Sequence, residues 1–226
     1  EAITRILATK AALRLHEKKA KGTLVPDESA LNVLGCEEHR NWARECADKS
    51  ITLVKNNEGI LPISPEKYPR VLLYILGDDA GYFDYATTGK TKMFLDNMKK
   101  EGFNVTIYEP SQTTEGAIEP TTDITDKYDL VIYLAVLATK SNQTVVRIEW
   151  AQPMWRNAPM FINAIPTIFI STENPYHLID VPRIKTFINT YNSSDDVMDA
   201  LVDKLMGRSE FLGYNPVDPF CGMWDT

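Results

Sequence analysis

The sequence predicts an α/β fold, a doubly wound and mostly parallel sheet of flavodoxin-like architecture. Three observations point there. From Val71 onward, short apolar runs alternate with stretches of helical periodicity, the pattern of strand–helix–strand units. Two of those runs, 71–76 and 130–137, are apolar throughout rather than at every second position, as in strands covered on both faces. The chain has 226 residues, 44% hydrophobic and 24% charged, enough for one large domain or a domain with an appendage. That composition sets aside the disordered, collagenous and disulfide-scaffold classes.

Taken in order, the first twenty residues read as helix. Ile3, Ile6, Leu7 and Leu13 recur at helical spacing, with Arg5, Lys10, Arg14, Lys18 and Lys19 between them. A polar stretch with Gly22 and Pro26 reads as a linker. A second helix is expected over 38–49, running into the β-branched segment 51–54. Asn56-Asn57-Glu58-Gly59 then turns the chain, and the apolar segment 60–63 follows. Strands are expected at 71–76, 105–108, 130–137, 145–150 and 167–170, with 185–191 as an edge strand. A helix over 91–100 is stopped by Gly102. The last helix is the clearest: Ser194 is placed to cap it, Asp195 and Asp196 suit the positive end of its dipole, and Val197, Met198, Leu201, Val202 and Leu205 form one stripe. Gly207 is placed to end it in a left-handed turn.

Charge and composition narrow the partners. A net charge of -7 argues against a nucleic-acid binder, and no apolar run approaches the roughly 20 residues of a membrane span. Cys36, Cys46 and Cys221 are odd in number and lack a paired spacing, so free thiols in a reducing, cytoplasmic compartment are expected. His16, His39 and His177 are scattered, and none has a second ligand at metal-site spacing. No metal and no cofactor is expected.

In a doubly wound sheet, ligands sit beyond the carboxyl ends of the strands. The loops to watch are therefore 78–88, 139–142 and 171–177, which supply the cleft candidates Asp78, Asp79, Asn142, Ser171, Asn174, Tyr176 and His177. Asp78 and Asp79, with Asp84, could serve acid–base work, but carboxylates there are also turn formers and helix caps. Thr87-Thr88-Gly89-Lys90-Thr91 falls where a phosphate loop belongs. It lacks the required glycine at position 84, where an aspartate stands instead. Ser171 follows a buried strand without a nucleophile-elbow motif, and His177 is too near in sequence to serve readily as its base. Trp150, Trp155, Tyr176 and Trp224 could stack on a sugar, or could equally be core aromatics. On residues alone there is no catalytic constellation.

Three segments together resemble glycoside hydrolase family 3. The run NWARECADKSITLVKN over 41–56, followed by Ile60-Leu61-Pro62-Ile63, is similar to the passage joining that family's two domains. The opening helix, with Arg5-Ile6-Leu7, Lys10 and Leu13, is similar to the helix that closes the preceding barrel. Pro175-Tyr176 after a buried strand, with Gly213-Tyr214-Asn215-Pro216-Val217-Asp218 near the end, looks like the family's terminal segments. The ending Asp218-Pro219-Phe220-Cys221-Gly222 resembles the β-N-acetylhexosaminidase branch.

The resemblance implies a retaining glycosidase whose aspartate nucleophile and His/Asp acid–base pair belong to an N-terminal (β/α)8 barrel. No catalytic residue carries over onto this chain. Glu149 and Glu173 are the loop candidates for the acid–base glutamate of the β-glucosidase branch, and neither lies in a matching motif. The expected organisation is linker helices and a connecting strand over 1–62, then an α/β sandwich over 63–226, with Glu1 reading as a cut. Expected partners are the barrel of the same enzyme and a carbohydrate substrate. The face formed by the first helix and 60–63 should be apolar surface. The competing expectation is a stand-alone flavodoxin-like module for phosphate or nucleotide.

Overall fold

The computed structural model describes residues 1–77, 90–108, 121–139, 147–151 and 157–223. The chain forms two compact units, Glu1–Trp42 and Ala43–Thr226.

In the first unit, helix α1 covers Ala2–Ala12 and α2 covers Leu15–Ala20. The expected single helix is broken at Arg14, whose backbone takes the left-handed conformation (φ 52°). A 3₁₀ turn, Glu28–Val33, follows, its first turn held by Asp27 accepting from the Ser29 N–H at 3.1 Å. None of these three elements contains a buried residue. Ile3, Ile6, Leu7 and Leu13 are all exposed, Ile3 at 72%. Helix α3 spans Glu37–Ser50.

The second unit is built on a six-stranded sheet: β1 (Thr52–Asn56), β2 (Arg70–Leu76), β3 (Asn104–Ile107), β4 (Leu130–Ala135), β5 (Thr167–Ser171) and β6 (Thr186–Asn189). The spatial order is β1-β6-β5-β4-β2-β3. Strands β3-β2-β4-β5-β6 are mutually parallel and reproduce the flavodoxin-like order, and β1 is added antiparallel beside β6. Helices α4 (Lys90–Lys100), α5 (Thr121–Lys127) and α6 (Asp195–Leu205) complete the unit.

Both faces of the sheet are covered, which explains the unbroken apolar runs. On one face Leu73, Ile132, Leu134, Ile170 and Ile188 pack with Phe94 and Met98 of α4 and Leu201 and Leu205 of α6. On the other, Tyr74, Tyr133, Phe169 and Phe187 share one register across four parallel strands. Their rings stack in sequence, with centroids 4.5, 5.6 and 5.4 Å apart. Burial of Phe169 and of Phe187 contributes about 1.5–3 kcal/mol each.

Several expectations need correction. Residues 185–191 are not an edge: β6 lies inside the sheet and all four of its residues are buried, because β1 returns to pair with it. The described part of 145–150 is not a strand; the Ile148 N–H and the Arg147 guanidinium are both held by the Asp180 carboxylate. Ser194 stands at the N-cap of α6, but its hydroxyl makes no cap bond. Its carbonyl instead accepts from Val197 and Met198 at 3.0 Å, and its own N–H goes to Asn192 Oδ1 at 2.6 Å. The segment 60–63 is surface only in part: Pro62 is exposed and Leu61 half-buried, whereas Ile60 and Ile63 are buried and the Ile63 N–H donates to the Leu205 carbonyl at 2.8 Å. Helix α5 went unforeseen because its one buried side chain, Ile124, gives no periodicity to read.

Candidate functional site

The carboxyl ends of β5 and β6 carry a dense set of buried polar groups. Ser171, Thr172, Asn174, His177, Asn189, Thr190 and Ser193 are each 5% exposed or less. The sheet ends its apolar run there, and most of these groups are paired within the protein, while Asn189 Oδ1 has no partner among the described residues. Thr172 does so twice over, its N–H and its hydroxyl both donating to the Ala135 carbonyl at 3.0 Å. Thr190 donates to Asn192 O at 2.7 Å, and Ser193 donates to Glu173.

Of the seven cleft candidates, Asp78, Asp79 and Asn142 lie outside the described residues, as do Trp155, Trp224 and the segment 87–89. The structure brings together the other four. Ser171 Oγ lies 2.8 Å from His177 Nδ1 and donates to the Asn174 carbonyl at 2.6 Å. Asn174 Nδ2 reaches His177 Nε2 at 3.0 Å and the Leu137 carbonyl at 2.9 Å, while Asn174 Oδ1 accepts from the Tyr176 N–H at 3.1 Å.

These contacts fix the tautomer. The amide nitrogen of Asn174 can only donate, so His177 Nε2 is an acceptor and the neutral ring carries its proton on Nδ1. Nδ1–H then donates to Ser171 Oγ, whose own proton goes to Asn174 O. The bonds form a closed ring with every proton assigned. Burial pushes the His177 pKa down to about 4, and Asp180 offsets only part of that.

The proximity of Ser171 to His177 thus departs from the sequence expectation, but it does not make a nucleophile. Ser171 is fully buried and the histidine donates to it rather than accepting its proton. Tyr176 differs from its neighbours: it is 47% exposed, at the end of the same loop. Glu149 is exposed, whereas Glu173 is half-buried and bonded to Ser193. Trp150 is half-buried and lines a cavity of about 230 Å³ with Ile162, Asp180 and Ile184. A more open groove of about 540 Å³ lies along β3, between Lys99 and Lys127. Ser171, Asn174 and His177 line neither cavity.

Sequence reading missed the surrounding groups. Thr172, Thr190 and Ser193 had a signal, since each directly follows or flanks a buried strand run. Tyr191 did not. Its left-handed backbone (φ 58°) and its hydroxyl bond to Thr52 Oγ1, at 3.2 Å, come from tertiary structure. Among the described residues there is no cluster of three His, Cys, Asp or Glu able to hold a metal, and no helix long and apolar enough to cross a membrane.

No family model matches the chain. A β-N-acetylglucosaminidase/β-glucosidase of Cellulomonas fimi is 51% identical over 227 residues, covering all of this chain and 40% of that protein. Among solved structures, β-glucoside phosphorylase BglX superposes with a TM-score of 0.84 at 40% identity, over 100% of this chain and 39% of that one. A glycoside hydrolase family 3 β-N-acetylglucosaminidase from Paenibacillus shares the fold, with a TM-score of 0.56 at 18% identity over 91% of this chain and 38% of that one. The chain therefore spans about two fifths of the length of the relatives it matches. Fold and site define a flavodoxin-like α/β sandwich domain with its polar groups gathered at the strand carboxyl ends. Over its whole length the chain matches part of each of these longer proteins and shares their α/β sandwich fold.

Proposed function

We propose that this domain is the accessory half of an enzyme acting on β-glucosides or N-acetyl-β-glucosaminides, with the catalytic groups on an N-terminal barrel of the same polypeptide. The observation that carries the reading is the 51% identity to the Cellulomonas fimi protein, which runs through the whole of this chain and occupies only 40% of that protein. The buried serine and histidine of the described residues are committed to each other, which suits a structural rather than a catalytic role for that pair. The exposed apolar stripe of α1 is surface for the barrel to cover. Free thiols at Cys36, Cys46 and Cys221 support a cytoplasmic setting.

A second reading concerns the acceptor. The solved relative at 40% identity is a β-glucoside phosphorylase, so phosphate in place of water belongs in the test. Aryl β-glucosides and aryl N-acetyl-β-glucosaminides are offered to the 226-residue chain and to the full-length enzyme, each with and without inorganic phosphate. The expected result is turnover by the full-length enzyme alone. A sugar 1-phosphate product identifies phosphorolysis, and the free sugar identifies hydrolysis. Robust turnover by the purified chain, free of contaminating enzyme, overturns the proposal.

A further inference from the structure

We propose that the hydrogen-bonded ring of Ser171, Asn174 and His177 is a positioning device that presents Tyr176, at the carboxyl end of β5, as a contact between this domain and a sugar ring of the substrate. The inference rests on the glycoside reading above and adds to it a residue and a means of holding it.

The loop after β5 is tied at every turn. Thr172 is anchored by two bonds to the Ala135 carbonyl at the end of β4. Asn174 bridges three places at once: the Leu137 carbonyl, the His177 ring and the Tyr176 N–H. His177 closes the circuit back to Ser171 on the strand itself. The Tyr176 carbonyl accepts from the Ile179 N–H at 3.1 Å, opening a short 3₁₀ turn, His177–Ile179. Both backbone polar groups of Tyr176 are therefore bonded.

Its side chain is treated in the opposite way. While Asn174 and His177 in the same loop are buried, Tyr176 is about half exposed and its hydroxyl bonds to no described residue. An aromatic ring with an apolar face and a polar edge unpaired among the described residues, on a backbone bonded at both its N–H and its carbonyl, stacks on a pyranose at low entropic cost. It stands on the carboxyl edge of the sheet, the edge on which doubly wound folds bind ligands, one strand beyond the switch point between β2 and β4. A ring that only filled space would be turned inward, as Phe169 and Phe187 are.

The test uses the full-length enzyme with aryl β-glucoside and aryl N-acetyl-β-glucosaminide as probes. Tyr176→Ala is expected to raise KM roughly three- to tenfold, the size of one aromatic contact, with kcat within about twofold. Its melting temperature should stay that of the wild type, because the ring is exposed. Tyr176→Phe should restore most of the KM. Ser171→Ala opens the ring of bonds without touching Tyr176, and it should raise KM in the same direction. An unchanged KM in Tyr176→Ala, alongside normal wild-type turnover, overturns this inference and leaves the glycoside reading intact. A wild-type enzyme that turns over neither probe removes the reading, and the inference with it.

Discussion

His177 shows how much one buried side chain can decide. Its ring is neutral because Asn174 and Ser171 use both nitrogens in the only way a neutral ring allows; a second ring proton would face the Asn174 amide protons. The folded pKa, about 4, lies below the ordinary 6.5. The unfolded chain therefore binds more protons between those values, and stability must fall as pH drops through that window. It is fully present above about 6.5. The gap corresponds to a loss of about 3 kcal/mol at the acid end. Urea unfolding of the chain at pH 7 and pH 4.5 should show most of this loss, and His177→Gln should be much flatter over the same interval. Equal slopes for the two proteins would mean that the ring of bonds does not hold the histidine neutral. The carboxylates held low by their partners, Asp129 by Arg70 and Glu101 by Arg208, act only further into acid.

Lys204 is the converse case, a cation with no exposure. Its ammonium donates to Glu210 O at 2.6 Å and Ser209 Oγ at 3.1 Å, and lies 3.0 Å from Asp48 Oδ1. Ser209 in turn donates to Asp48 at 2.5 Å, and these bonds hold the Asp48 carboxyl below its usual range. Every partner is satisfied, so the group is tolerated; removing it empties a buried site, while Asp48, 38% exposed, keeps water and its Ser209 bond. Lys204→Ala should cost about 2 kcal/mol, from the lost bonds and the emptied site, read as a lowered urea midpoint at unchanged slope. A loss under about 1 kcal/mol would show that water replaces the ammonium freely.

At the scale of elements, the strands were legible where burial left no alternative. Runs such as 71–76 and 130–137 are apolar because helices and loops cover both faces, and β2 and β4 fall on them. The placement of β6 was not legible. Lys185 and Thr190 flank it and suggest a solvated edge, whereas its neighbour β1 comes from more than a hundred residues earlier and arrives antiparallel. The candidate site divides the same way. Ser171 and His177 could be picked from a strand end, but their bond requires the loop to double back within six residues. No periodicity records that.

The segment after α6 makes a related point about glycine. Residues 211–219 alternate between part-buried and exposed, and Gly213 lies against the start of β1. A Cβ there would sit 2.3 Å from Thr52 Oγ1, 2.5 Å from Ser50 O and 2.6 Å from Ile51 O. Two of those atoms are backbone and cannot turn aside. Gly213→Ala should therefore cost roughly 2–4 kcal/mol although the residue is not deeply buried, and thermal melts would show it. Gly207 is similarly confined. It ends α6 at φ +73°, where a Cβ would meet Pro62 at 2.9 Å, so both the turn and the packing call for glycine.

At the scale of the whole molecule, the distribution of apolar surface carries the argument. The second unit buries its large hydrophobics on two faces of one sheet. The first unit leaves Ile3, Ile6, Leu7, Leu13, Leu31 and Leu34 more than half exposed, and its helices bury none of their residues. Propensity alone does not sustain helices of 11 and 6 residues in water; packing of an apolar face normally does. If the rest of the polypeptide supplies that packing, polar substitution of the stripe should matter only in the longer protein. Ile6→Gln with Leu7→Gln should shift the unfolding free energy of the second unit in the 226-residue chain by less than about 0.5 kcal/mol, while making the chain more soluble. In the longer protein the same pair should cost about 2 kcal/mol or more and loosen the domain, read as faster proteolysis near residue 20. A full-length protein indifferent to both substitutions would show that α1 faces water there too.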